Sequence, residues 1–206
     1  IDILVGTQMI AKGLDFPKLN LVGLCLADIG FNLPDFRCTE RSFQLITQVS
    51  GRAGRHVKPG EQPGKVLVQT FNPDHPGLQF AKTHDFENFA TQELQHREPL
   101  AYPPIGKLTS FRIQGTQLGR VEETSRLLAL RCRELKARHS IYEALEVLGP
   151  AEAPLAKLRG QFRYHLLIKG KDFRHLNAFC HQVLGDQKWM PPGVRISVDV
   201  DPLHLL

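Results

Sequence analysis

No glycine-rich phosphate loop of the G-x-x-x-x-G-K-[ST] kind occurs in this chain, and no acidic D-E-x-[HD] box follows a strand-like segment. Without a phosphate-loop lysine, a hydroxyl for magnesium and an acidic metal partner, the 206 residues hold no complete centre for phosphoryl transfer. The glycines at 51, 54, 60 and 64 cannot substitute for one. Cysteine is scarce. Cys25, Cys38, Cys132 and Cys180 are widely scattered with no C-x-x-C pair, which argues against a local zinc site or a disulfide framework. Three of them stand in apolar or helical context, and buried, reduced thiols of a cytosolic protein are expected. No apolar run approaches membrane-spanning length, so no membrane partner is expected. The first residues read as a short β-like run, not a basic leader. Internal repeats and low-complexity tracts are absent from the sequence.

What is present begins with Gln48-Val-Ser-Gly-Arg-Ala-Gly-Arg55. In a helix, Gln48, Arg52 and Arg55 fall at i, i+4 and i+7 and share one face. Phe43, Ile46 and Val49, three residues apart, supply an apolar stripe for that helix, and Thr39 is the expected N-cap. Gly51 and Gly54 weaken the helix and admit a neighbouring backbone. Two guanidiniums on one face suit the charge that develops on a γ-phosphate, because the arginine fork is planar, permanently charged and bidentate toward phosphate. A salt-bridged surface helix is the plainer alternative.

Upstream, Asp2-Ile-Leu-Val5 predicts a short buried strand running into Gly6-Thr-Gln-Met-Ile-Ala-Lys-Gly-Leu-Asp-Phe-Pro17. A strand ending in a glycine-containing turn with Thr, Gln, Lys and Asp is how open α/β sheets build ligand crevices. A second strand is expected over Leu21 to Ala27. The runs GTQMIAKGLDFP and QVSGRAGR, roughly thirty residues apart, resemble motifs V and VI of superfamily 2 helicases. Their wording is especially close to the bacterial primosomal replication-restart helicases. The resemblance implies that the chain starts inside the second motor lobe and runs to a natural end, the first lobe lying upstream.

Further along, the connector Lys58-Pro-Gly-Glu-Gln-Pro-Gly64 precedes a strand over Lys65 to Phe71. Phe86, Phe89, Ala90 and Leu94 then recur at helical spacing, and Glu98-Pro-Leu-Ala-Tyr-Pro-Pro104 marks a boundary. Residues 1–76 are expected to form a partial RecA-like lobe, 77–104 a helical connector, and 105–206 a small α+β domain. In the last of these, strands are expected over Leu108–Gln114, Glu143–Leu148, Phe162–Lys169 and Arg195–Val200. Helices are expected from about Gly119 to His139 and over Phe173–Leu184, with Ala151–Gly160 as a loop. That β-α-β-β-α-β order predicts a four-stranded antiparallel sheet with two helices on one face. Leu148-Gly-Pro150, Ala153-Pro154 and Val198-Asp-Val-Asp-Pro202 resemble phrases of the C-terminal domain in the same helicase family.

A net charge of +5 favours a polyanionic partner. The basic residues from Lys107 to Arg138 interleave with Glu122, Glu123 and Glu134. The group from Lys157 to Arg174 has few acids nearby and is the better candidate for phosphate contact. Its segment Lys157-Leu-Arg-Gly-Gln-Phe-Arg-Tyr164 mixes cations and aromatics as single-strand-binding surfaces do, so Lys157, Arg159 and Arg163 are the candidate nucleic-acid contacts. Against this, Phe162 and Tyr164 are also strand residues with one face in the core.

By resemblance, Arg55 is the arginine finger, Arg52 a second γ-phosphate contact, and Gln48 orients water or the terminal phosphate. Gly13 and Asp15 match positions that sit near nucleotide or couple it to DNA; Asp15 is otherwise a turn residue before Phe16-Pro17. Thr7 and Gln8 match positions that touch the nucleic-acid backbone. The family implies an ATP- and Mg²⁺-dependent 3′–5′ DNA helicase that remodels abandoned replication forks in the bacterial cytoplasm and nucleoid. It implies single-stranded and forked DNA, single-strand-binding protein and other primosome proteins as partners. It also implies zinc in the full-length protein, upstream of this chain. The competing reading is a non-catalytic interaction module with a decayed motor lobe, against which stand the intact glutamine and both arginines.

Overall fold

In the computed structural model, the structure describes residues 3–8, 19–53, 64–186 and 188–205. It divides into two compact units, Ile1–Leu94 and Gln95–Leu206. The division falls inside a helix, so the expected connector 77–104 is shared between them. Among the described residues no helix is long and apolar enough to cross a membrane.

The first unit holds a pair of parallel strands, β1 (Leu21–Leu24) and β2 (Lys65–Val68), in register from Leu21↔Lys65 to Leu24↔Val68. Residues 3–7 have no regular structure, and Ile3, Leu4 and Val5 are exposed. The buried strand expected there is not formed, because neither β1 nor β2 pairs with it and an unpaired strand leaves its amides to water. After β1 come α1 (Asp28–Phe31) and α2 (Cys38–Ser50); after β2 come α3 (Pro76–Thr83) and α4 (Phe86–Arg97).

Helix α2 is tied at its start by Asp35. Its buried carboxylate accepts from the Arg37 backbone N–H at 2.9 Å and pairs with Arg41 at 3.0 Å. The N-cap is Arg37, with no side-chain capping bond, so Thr39 lies inside the helix and does not cap it. Phe43, Ile46 and Val49 do form the buried stripe. Phe43 stacks on Phe89 of α4, centroids 4.1 Å apart and planes 2° from parallel. With Phe31, Ile46, Leu78 and Ala81 they make the small core of this unit. Helix α3 is capped by His75, whose Nδ1 accepts from Gly77 N–H at 3.1 Å, with Pro76 at the first helical position. It stops at His84 in the left-handed conformation.

The second unit is the expected β-α-β-β-α-β arrangement: β3 (Lys107–Gly115), α5 (Leu118–Arg138), β4 (Glu146–Leu158), β5 (Gln161–Gly170), α6 (Phe173–Leu184) and β6 (Val194–Val200). All pairings are antiparallel and the sheet order is β4-β5-β3-β6. In α5 the buried positions Val121, Thr124, Ser125, Leu128, Ala129 and Cys132 follow helical spacing. In α6 they are Leu176, Phe179, Cys180 and Val183, behind an Asp172 cap that accepts from Arg174 N–H at 2.7 Å. Both helices pack on Phe111, Ile113, Leu166 and Ile168 from one face of the sheet. Phe173, expected on the buried face of α6, is 43% exposed at its first turn.

Strand β4 runs through Ala151–Leu158, where a loop is expected. It does so with register breaks between Leu148 and Ala151 and between Glu152 and Lys157. Gly149, at φ 99°, supplies the first break, and the missing N–H groups of Pro150 and Pro154 are tolerated because β4 is an edge strand.

Candidate nucleic-acid interface

The two segments that resemble motor motifs meet the described structure only in part. Thr7 and Gln8 lie in the exposed segment ahead of β1. Gly13, Asp15 and Arg55 lie outside the described residues. Gln48 is exposed in the last turn of α2, opposite the buried stripe. Helix α2 ends at Ser50 with Gly51 as its C-cap, so Arg52 is not on the helix face expected for it. Arg52 sits half-buried in the following turn, its N–H donating to the Val49 carbonyl at 3.0 Å.

At the C-terminal ends of β1 and β2, where parallel sheets gather ligand-binding loops, Asp28 ties the two loops together. One carboxylate oxygen accepts from Thr70 Oγ1 at 2.8 Å and the other from the Phe71 N–H at 3.0 Å. The Phe71 bond foremost, with help from Thr70, holds this carboxyl below its usual range. Nothing in the motif reading singles out Asp28.

The candidate contacts of the second unit are distributed around the β4–β5 hairpin. Lys157 lies across from Phe162, with its Nζ 4.7 Å from the ring centroid. Arg159 stands exposed at the hairpin turn at φ 51°, followed by Gly160 at φ 79°. Phe162 and Tyr164 both pack against the core. The Tyr164 hydroxyl donates to Glu122 at 3.0 Å and Glu152 at 3.4 Å; desolvation first, then Glu122, pushes its pKa up to about 12. Arg163, between them, points to the opposite side and is 6% exposed. The hairpin therefore does not present its three cations on one surface.

Register shows what Arg163 joins instead. Side chains alternate along a strand. With Phe111, Ile113, Tyr164, Leu166, Val194 and Ile196 toward the helices, the helix-free face carries Arg112 and Gln114 of β3, Arg163 and His165 of β5, and Arg195, Ser197 and Asp199 of β6. Arg112 lies directly across from His165 and from Ser197; Gln114 lies across from Arg163 and from Arg195. Burial, then Arg112 and Arg163, lower the His165 pKa, so its imidazole is neutral at pH 7. Burial and Arg112 also lower that of Arg163. The other end of this face is closed: Lys169 donates to the Leu100 carbonyl at 2.8 Å, pairs with Glu146 at 2.8 Å and lies 5.0 Å from the Tyr102 ring centroid.

The family profile described as "Primosomal protein N C-terminal domain" matches residues 98–203, the four-stranded unit together with the segment that closes it. The chain belongs to the primosomal protein N family. Relatives match end to end. Proteins named "Replication restart protein PriA" are 42% identical over 99% of this chain in Synechocystis sp., 41% over 100% in Bacillus subtilis and 39% over 100% in Treponema pallidum. The chain spans only 23%, 25% and 30% of those relatives' lengths. Within this primosomal protein N unit, the sequence reading missed His165 and Arg195 as companions of Arg163. The parity of residues 112, 163, 165 and 195 about the apolar strand positions is the signal that finds them.

Among the described residues, no group of three or more His, Cys, Asp or Glu side chains is arranged to hold a metal. All four cysteines are free; Cys132 and Cys180 are buried, Cys38 is partly buried and Cys25 is exposed. The expectation of three buried thiols holds fully for two of them. Cys25, just past the short strand β1, is exposed.

Proposed function

We propose that this chain is part of an ATP-dependent 3′–5′ DNA helicase that acts in replication restart, remodelling stalled or abandoned forks and starting primosome assembly. The observation that carries the reading is the end-to-end match to replication restart proteins, together with motifs V and VI in order, the latter with its glutamine and both arginines. Arg55 serves as the arginine finger, Arg52 as a second γ-phosphate contact, and Gln48 orients water or the terminal phosphate. Gly13 and Asp15 couple the nucleotide to DNA, and Thr7 and Gln8 hold the DNA backbone without reading sequence. ATP and Mg²⁺ are the cofactors of the full-length protein, and zinc belongs to a segment ahead of the first of the two motifs, outside this chain. Lys157, Arg159 and Arg163 serve the C-terminal unit's contact with single-stranded and forked DNA. Single-strand-binding protein and other primosome proteins are the partners, and the site of action is the bacterial cytoplasm at the nucleoid.

The chemistry follows from charge. An arginine finger meets negative charge that exists only in the transition state, so it accelerates the reaction without tightening substrate binding. Arg55→Ala in the full-length protein is expected to lower ATP hydrolysis by about 10³–10⁵-fold while DNA affinity stays within about twofold. Steady-state ATPase assays beside fluorescence anisotropy on forked DNA test it, and equal losses of both would sink the assignment. The 206-residue chain alone is expected to hydrolyse no ATP.

A further inference from the structure

We infer that strand β6 is an interface with a second copy of this chain, pairing antiparallel with its own counterpart about a two-fold axis at Ser197. The inference goes beyond the DNA reading above and does not depend on it. Of the two edges of the sheet, β4 is interrupted by its register breaks and by Pro150 and Pro154, which have no N–H to offer. The other edge, β6, is unbroken and pairs with β3 in one register from Val194 to Val200. The Asp201 N–H donates to the Leu108 carbonyl, and hydrogen bonding alternates along an antiparallel pair. Arg195, Ser197 and Asp199 therefore direct their backbone groups at β3, while Val194, Ile196, Val198 and Val200 direct theirs outward. Among the described residues no group is hydrogen-bonded to that outward row. An open edge of this kind is a template for another strand.

The side chains select both the partner and the register. With Ser197 on the axis, Arg195 falls directly across from the partner's Asp199, and Asp199 from the partner's Arg195, so two opposite-charge pairs form on the helix-free face. Both side chains are exposed, and among the described residues neither has an ion pair or a side-chain hydrogen bond. On the other face Ile196 meets the partner's Val198 and Val194 meets the partner's Val200, all β-branched, which suits cross-strand packing. Val198 and Val200 are 38% and 40% exposed, so α5 and α6 leave this margin of the sheet open. Moving the axis to Ile196 would set Arg195 against the partner's Ser197 and lose both charge pairs. Moving it to Val198 would set Asp199 against the partner's Ser197 and turn Arg195 toward the partner's Asp201. That carboxylate already accepts from the Leu108 N–H at 3.1 Å and faces Lys107 at 3.7 Å. A foreign strand would need the same acid and base at the same spacing, whereas a second copy carries them by symmetry. The two four-stranded sheets then become one continuous sheet.

The test is sedimentation velocity of the 206-residue chain across a concentration series, which should show a reversible monomer–dimer equilibrium. One strand pair is a small interface, so the dimer is a weak one. Arg195→Glu sets like charges opposite each other at both ends of the strand pair, and so does Asp199→Lys. Each is expected to weaken association about tenfold or more. Mixed in equal amounts, the two variants should restore it, because unlike charges then face each other at both positions. Should either variant fail to fold, as its thermal melt shows, Val198→Pro removes one outward N–H, leaves the β3 ladder intact and should abolish the dimer. Ser197→Cys reads the register: under oxidised glutathione, peptide mass spectrometry should find residue 197 linked to itself, since facing residues lie within disulfide reach. A parent that stays monomeric at every concentration overturns the inference, whether the edge is bare or takes a strand of another protein. A dimer unmoved by Arg195→Glu and by Val198→Pro overturns it too, and places the association elsewhere on the chain. Neither of those outcomes touches the DNA reading.

Discussion

The two units differ in how completely their sheets are covered. In the unit from residue 95 onward, four antiparallel strands present one face to α5 and α6, and Phe111, Ile113, Leu166, Ile168, Leu176 and Phe179 are each fully buried. In the unit before it, the described residues form two parallel strands of four residues, and Leu21 and Leu67 remain more than half exposed, with Phe71 just beyond β2 at 88%. Parallel strands are ordinarily buried on both faces, whereas an antiparallel sheet can leave one face to water. The second unit thus meets its own requirement for cover, and the first does not. Leu21, Leu67 and Phe71 are therefore apolar surface that no other described residue covers.

The largest expected effect separates the two units energetically. Phe111→Ala removes a fully buried ring and is expected to cost the second unit about 3–5 kcal/mol. The resonances of Phe43 and Phe89 should melt where they did before. Chemical denaturation followed by NMR reads both units at once, and a common shift would show them to be a single cooperative body. Next in size is the reactivity of the thiols, which happen to be shared two and two. Burial pushes the Cys132 pKa up to about 12 and the Cys180 pKa up to about 11, and thiol reagents attack the thiolate. At pH 8, Cys25 should be labelled at the rate of a free thiol and Cys38 more slowly. Cys132 and Cys180 should react only as the second unit opens, which mass spectrometry of timed samples will show. One common rate for all four breaks the comparison.

The smallest effect concerns Asp28. Its carboxyl is held below the usual range mainly by the Phe71 N–H, so its contribution is fully present above the unfolded carboxylate value, about 3.9, and is lost as pH falls through the lower folded value. Between pH 7 and 5 the Phe71 amide should keep its hydrogen-exchange protection. Below about pH 4 that protection should fall, and Asp28→Asn should show the low-pH behaviour already at pH 7. Protection unchanged by the substitution would mean that Thr70 and the strand ends hold the loop without the carboxylate.

The second unit was legible because its elements agree at every level. Alternation in residues 108–114 and 162–169, helical spacing in α5 and α6, and the Asp172 cap all point to one arrangement. Only β4 escaped, since Gly149-Pro150 and Pro154 read as loop chemistry and an edge strand accommodates them. In the first unit, sequence logic overreached. Asp2–Val5 has the composition of a buried strand, but pairing is non-local and composition cannot supply the neighbour. The arginine helix was read past its true end because i, i+4, i+7 spacing has no term for a helix that stops at Gly51. Arg163 was found by charge, but its burial, and its company with His165 and Arg195, depended on register across β3.

The order β4-β5-β3-β6 also governs how the second unit can assemble. Its central strand is the earliest in sequence, and its partners arrive much later: Thr109 pairs with Ile168 and with Val200. The β4–β5 hairpin can close locally around Arg159 and Gly160, yet it has nothing to dock on until β3 is brought to it across the whole of α5. Closing such long loops costs entropy that grows only as the logarithm of their length, but it is spent before the contacts that reward it exist, and folding is slowed accordingly. Until β6 arrives, one edge of β3 is an open template for any other strand. A short-lived, partly built sheet with an unpaired central strand is therefore the state from which this chain is most exposed to pairing with a second copy of itself.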